Sequence, residues 1–123
     1  MKLRRLDELN EVQLRRGVSH KVFSGENATL AWGTLQPGHE TNPHAHPHEQ
    51  LVYVVQGRMR FTVGDESAIV EPGDMLVVPS GVEHWAENLG SEDAIDLSIF
   101  SPRRDDYAAE ETPDGEVSAG AGH

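Results

Sequence analysis

A chain of 123 residues with 37% apolar content has room for one hydrophobic core, so a single domain is expected. Acidic residues outnumber basic ones 21 to 10, and the formal net charge of −11 opposes binding to the polyanionic backbone of a nucleic acid. The absence of cysteine excludes disulfides, thiolate metal sites, iron–sulfur clusters and cysteine nucleophiles, so any metal must be held by nitrogen and oxygen.

The opening residues "MKLRRLDELNEVQLRR" have no continuous apolar core and no small-residue cleavage site, unlike a secretory signal. No apolar run approaches the roughly 18 residues of a membrane-spanning helix. A cytoplasmic protein with no membrane association is therefore expected. Residues 1–17 carry Leu3, Leu6 and Leu9 at a spacing that suits one helical turn or an arm laid on a neighbouring subunit.

From residue 18 onward, short apolar stretches rich in β-branched residues recur, nearly all closed by Gly or Pro: "KVFSG", "ATLAWGTLQPG", "QLVYVVQG", "RMRFTVGDE", "SAIVEPGD", "MLVVPSG", "HWAENLG" and "AIDLSIFSP". That spacing predicts an all-β barrel or sandwich over residues 18–104. Met59, Phe61 and Val63 alternate with Arg58, Arg60 and Thr62, which turns the apolar set inward, and Gly64-Asp65-Glu66 reads as a hairpin connection into a strand from Ser67 to Glu71. Residues 105–123 are rich in Asp, Glu, Gly and Ala, have little to bury, and are expected to form an acidic, flexible tail ending in a disordered His123.

The stretch "PHAHPHEQLVYV" crowds three histidines against one of the predicted strands. On an extended segment His44 and His46 share a face, and the same parity reaches His48 and Gln50, while Glu49 falls on the opposite face with Leu51 and Tyr53. The third ligand from this segment is therefore expected to be Gln50, unless a bulge at Pro47 shifts the register. Surface histidines in a proline-rich loop are the competing interpretation, weakened by three imidazoles within five residues.

Gly38, His44, His46, Gln50 and Gly57 match the pattern G-x5-H-x-H-x3-(E/Q)-x6-G, and Gly73, Pro79, Gly81, His84 and Asn88 match G-x5-P-x-G-x2-H-x3-N at every fixed position. The chain thus resembles the cupin superfamily over roughly residues 30–102. The resemblance implies a double-stranded β-helix, or jelly-roll barrel, a homodimer packed through the N-terminal segment, and a divalent metal ion (Zn, Ni, Fe or Mn) on His44, His46, Gln50 and His84. Most cupin enzymes carry Glu where Gln50 stands. Three imidazoles and an amide are neutral, so a bound divalent ion keeps its full charge and favours an anionic small-molecule substrate.

The runs "HPHEQLVYVVQG", "VPSGVEHWAEN" and "FSPRRDDY" further resemble the small single-domain cupins of the KdgF type, which convert 4,5-unsaturated uronates toward a linear ketone. In that type a D-x-F-x3-R pattern supplies functional residues. Here Phe100 and Arg104 match, Ser98 stands at the Asp position, and a carboxylate lies two residues earlier at Asp96. Asp96, Ser98 and Phe100 share one strand face, with Ile95, Leu97 and Ile99 on the other, so the first set is expected to line the pocket. Arg104 is assigned to a carboxylate clamp or to an exposed ion pair with Asp105 or Asp106. The alternatives to the uronate reaction are a zinc-dependent aromatic polyketide cyclase and a non-catalytic sugar- or metabolite-binding module. Tyr53, Met59, Trp32 and Trp85 are expected to pack the barrel, and His39 and His48 to be exposed or to support the ligands.

Overall fold

The structure is a computed structural model describing residues 1–112. Nine strands form: β1 (Val12–Arg15), β2 (Val18–Ser24), β3 (Thr29–Leu35), β4 (Glu49–Gln56), β5 (Met59–Val63), β6 (Glu66–Val70), β7 (Met75–Val78), β8 (His84–Asn88) and β9 (Ala94–Ser101). They pair antiparallel in two sheets, one ordered β1-β2-β3-β9-β4-β7 and one ordered β6-β5-β8. This is the all-β cupin jelly roll that the motifs imply. No helix among the described residues is long and apolar enough to cross a membrane.

Alternation along the strands places the core between the sheets. Val18, Leu35, Val52, Val54, Met59, Phe61, Val70, Val78 and Ala94 form one buried cluster, and Val22, Ala31 and Phe100 form a smaller one against Tyr107. Met59, Phe61 and Val63 face this interior while Arg58 and Arg60 lie outside, as the period of two requires. The hairpin after β5 turns on Gly64 and Asp65, with Gly64 at φ +62°, and the returning strand runs Glu66–Val70, one residue earlier than its predicted bounds. Gly57 allows a close backbone approach: a Cβ there would sit 2.8 Å from the Ala94 Cα, on a φ of +86° that already disfavours a side chain.

Two packing expectations change. Tyr53 does not pack the core. It is 44% exposed on the outer face of the larger sheet with Leu51, Met75 and Val77, because residues of its parity in β4 point away from the smaller sheet. Trp32 is only half-buried and also lines a groove on that outer face.

The N-terminal segment makes a short 3-10 turn (Leu6–Glu8) and lies on its own barrel through Lys2, which donates to the Ser24 carbonyl and to Glu111. The first part of the expected tail is docked. A short helix, α1 (Asp105–Ala108), and the residues after it run along β2, with Glu111 only 3% exposed. Composition hid this because the anchors are single polar groups with buried partners, not an apolar stripe. Residues 113–123, including His123, lie outside the described residues.

Met59 is fully buried and Met75 is 75% exposed, so Met59→Ala should cost about 2–5 kcal/mol and Met75→Ala about 0.5 kcal/mol or less, as urea unfolding would measure.

Candidate metal centre

His44 and His46 lie on the segment leading into β4, and His84 opens β8. An isolated antiparallel bridge joins His44 to His84, with backbone N–H···O distances of 3.2 and 2.9 Å in the two directions. One ligating nitrogen from each of the three imidazoles falls within 4.8 Å of the others. Their Nδ1 atoms are all committed as donors to backbone carbonyls: His44 to Asn42 at 2.7 Å, His46 to His48 at 3.0 Å and His84 to Val82 at 2.9 Å. A neutral imidazole carries one proton, so each Nε2 is left as a lone pair.

The surroundings of His84 and His46 favour the neutral ring. Burial lowers the His84 pKa to about 4, opposed by the Val82 carbonyl and aided by the neighbouring imidazoles and Arg104. Burial also lowers that of His46, with Arg104 acting in the same direction.

Gln50 faces inward, as its parity predicts, while Glu49 is exposed. Its Nε2 donates to the Ser98 hydroxyl at 3.0 Å, which turns its Oε1 toward His46 Nε2, 3.1 Å away. That contact sets an amide acceptor against an imidazole lone pair. His84 Nε2 is buried with no hydrogen-bond partner. Both observations fit a divalent cation, which would satisfy all four acceptors at once, and backbone or hydroxyl bonds behind each ligand are the support such sites use. The cysteine-free N/O donor set accepts zinc, nickel, iron or manganese alike.

The other sequence-predicted residues gather on the same cavity, of about 360 Å³, lined by His44, Gln50, His84, Asp96, Ser98, Phe100 and Arg104 among others. Strand β9 supplies three of them from one face, with burial alternating along its length. Phe100 sets its ring edge-on to His46, 5.5 Å between centroids, and carries the Arg104 guanidinium 4.9 Å above its own centroid. Asp96 is buried with no cationic partner among the described residues, and burial alone raises its pKa to about 7. Gly33 lies opposite it in β3, where a Cβ would meet the Asp96 Oδ1 at 2.9 Å.

His39 is buried and structural: Nδ1 donates to the Glu40 carbonyl and Nε2 accepts from the Asn88 backbone N–H. His48 is half-buried and touches Phe100 edge-on. Trp85 lines the cavity and Met59 fills the core. Sequence reasoning missed His20, Tyr107 and Arg15, which also line the cavity. For His20 a signal was present, since it shares the inward parity of Val18 and Val22 in β2. For Tyr107 the only hint was a lone aromatic in a polar run.

Two antiparallel sheets closing over three converging imidazoles define a small metal-binding barrel. The chain belongs to the cupin family: the Cupin domain family matches residues 31–100. It is similar to an uncharacterized protein of Streptomyces coelicolor, 34% identical over 103 residues that cover 83% of this chain and 97% of the relative. It also resembles the polyketide synthase CurC of Streptomyces cyaneus, at 32% identity over 72% of this chain and 58% of the relative. Among solved structures, KdgF from a Halomonas species superposes with a TM-score of 0.78 at 28% identity, covering 86% of this chain and 97% of the other.

Substituting Ser98→Ala frees the Gln50 amide and should weaken zinc binding by about tenfold, whereas Gln50→Glu adds a negative ligand and should tighten it; isothermal calorimetry reads both signs.

The Asp96 carboxyl binds its proton more tightly in the native than in the unfolded chain. Native stability from this group therefore falls as pH rises from about 4 to about 7. His84 works oppositely from its own value of about 4 up to the usual histidine range, so the two slopes offset each other in the parent protein. In metal-free protein, the stability gain of Asp96→Asn over the parent should grow by about 1.4 kcal/mol per pH unit across that window, measured by urea unfolding at pH 5, 6 and 7.

Proposed function

We propose that this cupin is a metal-dependent isomerase of a small carboxylated carbonyl compound, most concretely one that opens a 4,5-unsaturated uronate to the linear ketone. One observation carries the reading: a single cavity is lined by His44, Gln50 and His84 together with a buried carboxyl and a guanidinium. Its size lies within the roughly 300–1,000 Å³ typical of small-molecule sites.

A divalent ion on His44, His46, Gln50 and His84 would supply Lewis acidity with its double charge uncompensated by the ligands. Arg104 pairs with the substrate carboxylate and fixes the ring relative to the ligands. Ring opening removes the proton of the hemiacetal hydroxyl. The bond from C1 to the ring oxygen breaks, an aldehyde forms at C1, and the electron pair passes to the former ring oxygen as an enolate. Protonation at C4 then gives the ketone. One proton is taken and one returned, so the reaction consumes nothing. Asp96 is suited to this transfer because its pKa of about 7 lets it hold or release a proton near neutrality. Ser98 orients Gln50, and Phe100 forms the apolar wall between the ligands and Arg104.

The likeness to Halomonas KdgF supports this reading. The likeness to CurC favours the second reading, a cyclase acting on an aromatic polyketide. The polar lining, with Asp96, His20 and Arg104, argues for the hydrophilic substrate.

Metal-loaded protein should accelerate the loss of the cyclic form of 4,5-unsaturated galacturonate followed by proton NMR. Asp96→Asn should lower kcat by about a hundredfold at unchanged metal content, and Arg104→Ala should act chiefly on KM. An unaltered time course with metal-loaded protein would rule the uronate reaction out.

A further inference from the structure

Of the groups that hold Arg104, only Phe100 also touches the imidazole cluster. Its backbone N–H donates to the hydroxyl of Thr29, itself fully buried and bonded to Ser24. Its guanidinium lies 3.8 Å from the Tyr107 ring centroid and 4.9 Å from that of Phe100. Asp106 takes the Nε and Nη2 atoms, at 3.3 and 2.8 Å, and neither bond uses Nη1. Despite this surface pair the Arg104 side chain is only 12% exposed.

The Tyr107 ring is fixed in turn. It meets His20 edge-on at 4.6 Å and Phe100 edge-on at 5.6 Å. His20 is 4% exposed and its Nε2 meets Glu110 Oε1 at 2.8 Å. Glu111, one residue on, accepts from Lys2 and from the backbone N–H of Ser24, and its carbonyl accepts from Asn10. A strap running from Arg104 to Glu111 is thus pinned at its far end to the barrel and the N-terminal segment, with the aromatic contact between.

We infer that Tyr107 and Glu110 are positioning residues that hold the Arg104 guanidinium on the pocket wall with its Nη1 side free for an anionic substrate group. The inference rests on the reading that Arg104 receives the substrate carboxylate. Contact with two rings set at 84° to each other confines the guanidinium, and Asp106 occupies one edge of it, so the orientation of the remaining donors is set before any ligand arrives. Glu110 acts through His20, which fixes the Tyr107 ring from its edge.

The test pairs a geometric readout with a binding readout in zinc-loaded, full-length protein. The Arg104 side-chain NMR signals, assigned by their loss in Arg104→Lys, should be shifted upfield by the two rings they lie over. That shift should collapse in Tyr107→Leu, diminish in Glu110→Ala and persist in Tyr107→Phe. By calorimetry, the parent should bind D-galacturonate more tightly than its uncharged methyl ester. Tyr107→Leu and Glu110→Ala should cut that preference by about tenfold with the ester affinity unchanged, and Tyr107→Phe should retain it. If the parent does not distinguish acid from ester, the reading of Arg104 as the carboxylate partner fails. If it does, and both the ring shift and the preference survive in Tyr107→Leu, the positioning role is overturned. Glu110→Ala repeats the test without touching the stack, so a folding defect in one variant does not decide the matter.

Discussion

One antiparallel bridge between His44 and His84 carries the centre. The two histidines come from motifs far apart in the chain, and the paired backbone bonds between them bring their rings to 4.4 Å between centroids. Everything that follows depends on this junction. His46 joins the pair because it shares His44's side of the extended segment, and Gln50 joins because the parity survives Pro47 into β4. Backbone carbonyls then take the three Nδ1 protons, so the side of each ring facing the others is basic. A buried cluster of lone pairs without a cation is costly, which gives the arrangement its affinity for metal.

Strand β9 is the second organising element. Paired on both sides, to β3 and to β4, it cannot slip by one residue without exchanging Asp96, Ser98 and Phe100 for Ile95, Leu97 and Ile99. The register therefore decides whether the cavity contains an acid, a hydroxyl and a ring, or three aliphatic chains. Each of the three acts differently. Ser98 accepts from the Gln50 amide, Phe100 touches His46 and Arg104, and the Asp96 carboxyl is buried against Gly33. The Asp96 environment is made possible by Gly33 across the ladder, where any side chain would meet the carboxyl.

The strap after β9 shows how short polar segments dock without a hydrophobic face. Arg104, Tyr107, Glu110 and Glu111 each find one buried partner, and the sum holds a stretch whose composition reads as solvated. By the same logic Tyr53, expected to pack the barrel, lies exposed with Leu51, Met75 and Val77 on the outer face of the larger sheet. Both differences have one cause: apolar and polar content report the average tendency of a segment, while docking depends on particular partners far away in the chain.

The amino-acid sequence by itself determined the strand class, the inward parity of His44, His46 and Gln50, the pocket-facing parity of Asp96, Ser98 and Phe100, and the motif spacing that implies His84 as a fourth ligand. The strand class and the parities are local periodicities, set by the alternation of side chains on extended backbone, and need no partner to be read, while His84 as a ligand is what the resemblance to cupins implies. Only the tertiary structure decided that Tyr107 joins the cavity wall, that His39 is structural, that Tyr53 faces outward and that the chain after Arg104 folds back onto β2. Those outcomes depend on contacts between residues separated by most of the chain, and no local period encodes such a distance.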